Sequence, residues 1–532
     1  MWCCTLVASV QKNYISATVY FKNNTYSIRP GILDKEGLAY GVFNDTILKS
    51  GWNTLNIRAG FSNQKYQDEN LMYAAGYLEG FLTSQQIYQH LTNVKASTFG
   101  KGTPPQLQEK LQKFFTDQDD WIRGKLEENQ ESPFWKVLSL VVSHFDGLQA
   151  GYAANPYRGK PLEKFDFQLL NSIGDVLDLQ YALIPESIPD WNSMSQSEME
   201  EYLVSHGHCS SLVKLLPGYE DVFFAHSSWF QYQYSYRIYK HYHFRLSNPH
   251  ISATNFSFSS YPGILESLDD FYILGSGLLI SETTNLVFNK TLYSFVKPES
   301  LLAWQRVRVA NFMAADGKTW GNLLDTHNSG TFNNQYTVLD TKRIKLKEMV
   351  MDGALWVIEQ IPTLIVSGDQ TDILTAGYWP SYNVPFYEEV YNLSDYDKHS
   401  AKFGDELSYQ LASRAKIFRR DQSKVTDMNS MLDLMRYNDY RHDPYSQGNP
   451  LHSICCRNDL TTENPQPFGC LDTKATNITM ATRMQAYAIN GAPTWGGRYP
   501  AFSWTGRFSN VSHVGLPLKY DFDFVFMSPL EI

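Results

Sequence analysis

The feature that most limits how this chain can fold is a change of texture near its middle. Before Ile184 apolar residues recur largely with helical spacing, and after Gly207 they come in short runs rich in β-branched and aromatic residues. Between them lies "IPESIPDWNSMSQSEMEEYLVSHG", residues 184–207, polar, with two prolines and a Ser195-x-x-Glu198 capping pattern. It reads as a surface linker holding one short helix. A helix-rich part followed by a strand-rich part predicts a layered α/β body rather than a βαβ nucleotide fold.

Local patterns fill in this outline. Tyr14 to Phe21 reads as a strand, and residues 68–94 carry one long helical pattern with Leu71, Ala74, Ala75, Leu78 and Phe81 on a face. Further helices are predicted over 104–129, 133–154 and 300–313. Two apolar runs, Leu212–Leu216 and Val222–Ala225, bracket "PGYED" and predict a β-hairpin. Strands are expected over 271–280, 336–339 and 355–361.

Composition excludes several classes. In 532 residues, 43% hydrophobic and 14% aromatic content supplies a large core and argues against disorder. The net charge of −10, with no dense Lys/Arg run, argues against a nucleic-acid partner. No apolar run is long enough for a transmembrane helix, which leaves at most transient contact with a membrane surface. The opening "MWCCTLVASV" reads as a remnant of a secretory signal over residues 1–9, with a buried strand as the alternative. Glycosylation sequons begin at Asn23, Asn44, Asn255, Asn289, Asn392, Asn477 and Asn510, which favours passage through the secretory pathway. With the acidic balance, a lysosome, a secretory granule or secretion is the expected destination.

Chemistry-bearing motifs are few. There is no G-x-S-x-G elbow, Walker loop, G-x-G-x-x-G or H-E-x-x-H, so no nucleotide or other cofactor is expected. The pairs His206/His208 and His241/His243 would share a face if extended, but no Cys or carboxylate at ligand spacing accompanies them, and no metal is expected. The cysteines are Cys3, Cys4, Cys209, Cys455, Cys456 and Cys470. Adjacent cysteines bridge only with strain, so Cys470 is expected to pair with Cys455 or Cys456.

Cys209 has no partner near it in sequence. It follows Gly207-His208, begins a strand, and has His226 across the predicted hairpin. These features suit a nucleophile, against the plain alternative of a small buried hydrophobe. A thiol at a strained turn can also attack the peptide bond before it. The released α-amine, with a typical pKa near 8, would then serve as the thiol's base.

The stretches "HCSSLVKLLPG", "FAHSSW", "FSSYPG", "LDDFYILGSGL", "ETTN", "FNNQY", "YWPSYNVPF" and "RAKIFRRDQ", in this order, resemble the phospholipase B-like (lamina ancestor) family. The likeness runs from about Tyr14 over nearly the whole chain. It implies the four-layer αββα sandwich of N-terminal nucleophile hydrolases, two stacked antiparallel sheets between helical layers. It also implies cleavage at His208–Cys209 into fragments 10–208 and 209–532 that stay associated. By position, Cys209 matches the nucleophile, and His226 and Trp229 match pocket residues beside it. Thr284 matches a polar residue facing the site, Asn383 the oxyanion donor and Arg414 an arginine near the thiol. The plain alternatives are core packing for Trp229, a cross-strand contact for Thr284 and an ion pair with Asp421 for Arg414. Two departures stand out. Bile-salt-hydrolase relatives carry Arg and Asp at the positions of His226 and Trp229, and close family members have a further Cys near Leu451. The implied activity is hydrolysis of fatty-acyl esters of phospholipids and lysophospholipids through a Cys209 thioester. Cleavage of a small N-acyl amide is the alternative, and a non-enzymatic lipid-binding glycoprotein is a second.

Overall fold

The computed structural model describes residues 14–206 and 209–532. The signal remnant over 1–9, Cys3, Cys4 and His208 lie outside them. The described residues build two large sheets, one of eleven strands and one of six, and a small ribbon of Ile344–Lys345 with Met349–Val350. Neighbouring strands pair antiparallel except Asn53–Ala59 against Ile238–Phe244, which run parallel. That ladder joins strands from the two sides of Cys209 into one sheet.

The alternation of side chains along the strands explains how the layers stack. In the large sheet Ile273, Leu279, Leu339 and Val357 point into one apolar core, and Tyr272, Leu278, Ile280, Val338 and Ile358 point into another. Val213 and Phe224 of the small sheet enter the first core, which the two sheets therefore share. Their neighbours Leu212, Phe223 and Ala225 face Ile417, Phe418, Met431 and Met435 of the helices Ser413–Asp421 and Met428–Met435. Helices Asp68–Leu82, Pro133–Ala154 and Ala303–Met313 cover the outer face of the large sheet. Asp68–Leu82 and Pro133–Ala154 meet through Gly76, Gly80, Gly147 and Gly151, where a Cβ would collide with the opposing backbone. The molecule is thus an α+β sandwich.

Several expected elements appear at or near their predicted bounds: Tyr14–Lys22, Leu107–Glu128, Pro133–Ala154, Ala303–Met313, Asn334–Asp340 and Leu355–Ile361. The hairpin is Ser210–Leu215 with Val222–Gln231, turned by Pro217–Tyr219. Three readings need correction. The single helix over 68–94 is two, Asp68–Leu82 and Ser84–Thr98, because Thr83 leaves helical geometry while its hydroxyl donates to Glu79 O at 2.7 Å. The strand over 271–280 is a hairpin, Tyr272–Leu274 with Leu278–Thr284, turned at Gly277, whose φ is 84°. The linker over 184–207 is no bare surface segment. Ser195 N donates to Glu198 Oε2 at 2.8 Å ahead of helix Gln196–His206, as the capping pattern predicts, but Trp191, Met199 and Tyr202 are buried in the core beside the small sheet. Its polar composition hid three anchors spaced along it.

Candidate active site

Cys209 stands at the head of the Ser210–Leu215 strand, buried, with φ of 90°. A non-glycine residue there carries backbone strain on the order of 1–3 kcal/mol. Alternation puts Cys209 and Ser211 on the face toward the large sheet, and the hairpin register sets His226 opposite Ser211. The two sheets meet polar to polar at this point: Ser211 and Ser281 share a hydrogen bond of 2.8 Å. One strand of the large sheet, Leu278–Thr284, supplies the group nearest the thiol. Cys209 Sγ lies 3.7 Å from Glu282 Oε1, and Thr284 Oγ1 donates to Glu282 Oε2 at 3.4 Å.

Both acids of this pair are lifted by their surroundings. Burial pushes the Cys209 thiol well up, and the Glu282 carboxyl beside it adds to the effect, while the backbone N–H of Trp229 opposes it. Burial also pushes Glu282 well above the carboxylate range, followed by the charges of Asp270 and Asp269.

His226 is fully enclosed and oriented from both sides. Its Nε2 lies 2.9 Å from the Glu282 carbonyl oxygen, which can only accept, so Nε2 carries the proton. Its Nδ1 then accepts from Lys474 Nζ at 3.1 Å. Burial and then the Lys474 charge hold the imidazole neutral, well below its ordinary pKa. Lys474 also donates to Ser228 Oγ and Asp472 Oδ1, both at 2.6 Å, and pairs with Asp269. Arg237 closes the set, 2.7 Å from Asp472 and 3.1 Å from Asp269. Burial opposes ionisation of Asp269, yet Arg237 and Lys474 outweigh it and keep the carboxylate charged. Two cations thus face two anions in a buried network whose charges cancel.

Arg414 bridges the remaining pieces. Its guanidinium donates to Cys209 O at 2.6 Å, to Ser210 Oγ at 3.2 Å and to Asn383 Oδ1 at 2.7 Å, and it lies 4.2 Å from the centre of the Trp229 ring. Burial lowers its pKa to about 10. The alternative ion pair with Asp421 is absent, because Asp421 pairs with Arg420 and Lys424. Asn383, at φ of 67°, donates from Nδ2 to Thr284 O at 2.7 Å. Trp229 donates from Nε1 to Ile454 O at 3.2 Å.

The thiol opens on a cavity of about 340 Å³ whose walls include Cys209, Trp229, Glu282, Thr284, Asp178 and Tyr202. Across Trp229 lies a smaller space of about 40 Å³ bordered by Asn383 and Arg414. Cys209, His226 and Glu282 present potential ligand atoms within 4.8 Å of one another. With the Nε2 proton on the Glu282 carbonyl and Nδ1 taken by Lys474, His226 has no lone pair free to complete a metal site. His241 accepts or donates at Ser257 Oγ, 2.9 Å away, and belongs to a different part of the fold.

The structure therefore brings Cys209, His226, Trp229, Thr284, Asn383 and Arg414 together, and adds Glu282, Lys474, Asp269, Asp472, Ser228 and Arg237. Glu282 was the most findable of these. It sits two residues before Thr284 in a strand, so the two share a face. The bridge is Cys455–Cys470, and Cys456 is free and buried among Trp229, Leu451 and Phe468. Of the sequons, Asn23, Asn392 and Asn510 are exposed, while the Asn289 and Asn477 side chains are engaged by Leu393 O at 3.0 Å and Asp221 at 2.8 Å.

A buried thiol and carboxyl thus line a cavity inside a two-sheet sandwich, and the likeness to known proteins makes the chain a hydrolase. The chain belongs to the phospholipase B family, whose model, described as Phospholipase B, matches residues 39–527. It is 48% identical over 98% of its length to "Phospholipase-B 81" of Drysdalia coronoides, covering 94% of that protein. It is 47% identical to "Phospholipase B-like 1" of Homo sapiens over 97% of this chain and 91% of that protein. At greater distance, "Phospholipase B-like protein D" of Dictyostelium discoideum is 35% identical over 95% of this chain and 90% of its own length.

Proposed function

We propose that this chain is an acyl hydrolase that is cut before Cys209 and then cleaves fatty-acyl esters of phospholipids and lysophospholipids through a Cys209 thioester. The observation that carries the reading is the Cys209 thiol, strained at the head of its strand and open to the cavity. The names of the relatives supply the substrate class. In the cut protein the new α-amine takes the thiol proton, and the thiolate attacks the acyl carbonyl. Asn383 Nδ2 turns from Thr284 O to the oxyanion, and water releases the acid. Arg414 holds the Cys209 carbonyl in place throughout. The layer order, with sheets inside and helices outside, suits an N-terminal nucleophile hydrolase. Glycan-bearing Asn23, Asn392 and Asn510 and residence in a lysosome, granule or secreted pool complete the proposal.

The two fragments have ample reason to stay together. The parallel ladder Asn53–Ala59 with Ile238–Phe244 crosses the cut, and the fully buried pair Lys240–Glu79 spans it at 2.7 Å.

N-terminal sequencing of purified protein tests the first half, with a fragment beginning at Cys209 expected and an intact 208–209 bond overturning it. A matched assay of phospholipid and N-acyl amide substrates on the cut protein tests the second. Fatty acid release from phospholipid, absent in a Cys209→Ala variant cut beforehand at the same bond, is expected. Exclusive amide cleavage would convert the reading to an amidase, and no turnover with retained lipid binding would leave a lipid-binding glycoprotein.

A further inference from the structure

Before the chain is cut, Cys209 has no α-amine, so the base proposed for the mature enzyme does not yet exist. Something else must take the thiol proton for the first event. Among the described residues the candidates within reach of Sγ are few. His226 is the obvious one, but its Nε2 proton points to the Glu282 carbonyl and its Nδ1 lone pair is held by Lys474. Lys474 itself is committed to Asp269, Asp472 and Ser228, and Arg414 is a guanidinium bound to Cys209 O and Asn383. Among the described residues only the Glu282 carboxyl hydrogen-bonds to the sulfur side chain to side chain, at 3.7 Å.

Resting on the reading that the chain cuts itself before Cys209, we infer that Glu282 is the general base of that processing step, and a catalytic residue for it. The S–H proton passes to Glu282 Oε1. The thiolate adds to the peptide carbonyl preceding Cys209, forming the S–C bond. As the C–N bond breaks, the proton on Glu282 moves to the departing Cys209 nitrogen and frees the α-amine. Water then adds to the thioester, leaves its oxygen on the acyl carbon as the new C-terminal carboxyl group and returns a proton to the sulfur. The balance is one water consumed and one peptide bond lost, with Glu282 regenerated.

The surroundings favour this exchange. Once Glu282 is ionised, moving a proton from thiol to carboxylate relocates a negative charge by a few ångströms inside one buried pocket, so the transfer itself buries no further charge. Raising a carboxyl above its ordinary range also makes its ionised form a stronger base. The groups facing Glu282 are Cys209 and Thr284, which hydrogen-bond to it, and Asp269 and Asp270, whose charges lift it further. Glu266 lies in the same acidic neighbourhood, and His226 and Lys474 stand behind the Glu282 carbonyl oxygen. Glu282 must therefore ionise before it acts, and cutting should accelerate as pH rises through its titration.

The test follows pulse-labelled full-length chain made by cell-free synthesis, with the cut fraction read by mass spectrometry over the whole pH range in which the chain stays folded. Glu282→Gln, close in size to the native side chain, is expected to cut about 100-fold or more slowly and to lose the pH inflection. Glu282→Asp keeps a carboxylate at greater distance and is expected to cut slowly with the inflection retained. If wild-type chain does not cut, or Cys209→Ala cuts, self-processing itself fails. If wild-type chain cuts and Glu282→Gln matches it, the base assignment fails while self-processing stands. Should Glu282→Gln lack the wild-type thermal transition, the Glu282→Asp profile decides, and loss of its inflection overturns the assignment.

Discussion

Arg414 donates to the carbonyl oxygen of Cys209 at 2.6 Å although the two residues are 205 positions apart. The same guanidinium reaches Asn383 Oδ1 at 2.7 Å and faces the ring of Trp229. One side chain thus ties the proposed nucleophile to the proposed oxyanion donor. Arg414→Ala would remove the charge-assisted hydrogen bonds to Cys209 O and Asn383 Oδ1, worth about 1.5–3 kcal/mol each. Arg414→Lys cannot reproduce the fork and is expected to fall short of wild type as well. Both should lower acyl hydrolysis at least ~10-fold in a kcat/KM assay. An unchanged rate in Arg414→Ala would remove Arg414 from the site's machinery.

Lys240 and Glu79 form a buried ion pair whose partners come from opposite sides of Cys209, and the Tyr242 hydroxyl also donates to Glu79. Removing one partner leaves the other charge buried and alone. Lys240→Met is expected to lose about 3–5 kcal/mol in denaturant unfolding, and Glu79→Gln a similar amount. The double variant should recover part of that loss. In cut protein, the single variants should also release the N-terminal fragment at lower urea than wild type, as read by size exclusion.

Asp178 gives a signed pH prediction. Burial lifts its carboxyl to about 7, opposed by hydrogen bonds from Tyr293 and Phe332 N. Because the folded value lies above the unfolded one, the native state binds the proton more tightly. The group's stabilising contribution is complete below the unfolded pKa near 4 and is lost as pH rises toward 7. Buried neutral histidines such as His90 and His241, held down at about 3, pull the opposite way below pH 6.5. The clean observable is therefore a difference. Asp178→Asn should gain melting temperature relative to wild type steadily between pH 4 and pH 8. A pH-independent gap would mean that Asp178 does not titrate in this range.

Cys455 and Cys470 close a loop of 15 residues, while Cys456 remains a buried thiol. A non-reducing peptide map should recover the 455–470 linkage, with Cys456 alkylated only after unfolding. Replacing both bridged cysteines by Ala should cost about 3 kcal/mol on the chain-entropy estimate for such a loop. A 456–470 linkage in the map would refute the assignment. The Leu451 side chain packs in the same cluster as Cys456.

Local patterning made much of the fold legible. The hairpin after Cys209 and the helix Pro133–Ala154 were both announced by turn residues and periodicity, which act over a few positions. Thr83 and Gly277 broke predicted elements because a side-chain hydrogen bond and a positive φ interrupt a pattern without changing its hydrophobicity. Trp191, Met199 and Tyr202 were hidden by their polar neighbours, since a segment of low average hydropathy can still dock through a few large side chains.

The sequence by itself singled out candidates for chemistry: a lone mid-chain Cys209 before a hairpin, and motif positions that pointed to His226, Asn383 and Arg414. Tertiary structure decided what surrounds each of them. Register across the hairpin and the stacking of two sheets put Glu282, not His226, against the thiol, and turned His226 toward Lys474. The physical reason is that protonation and hydrogen-bond roles depend on burial and on which lone pairs are already taken. Those are set by contacts between strands hundreds of residues apart, and no local window of sequence contains them.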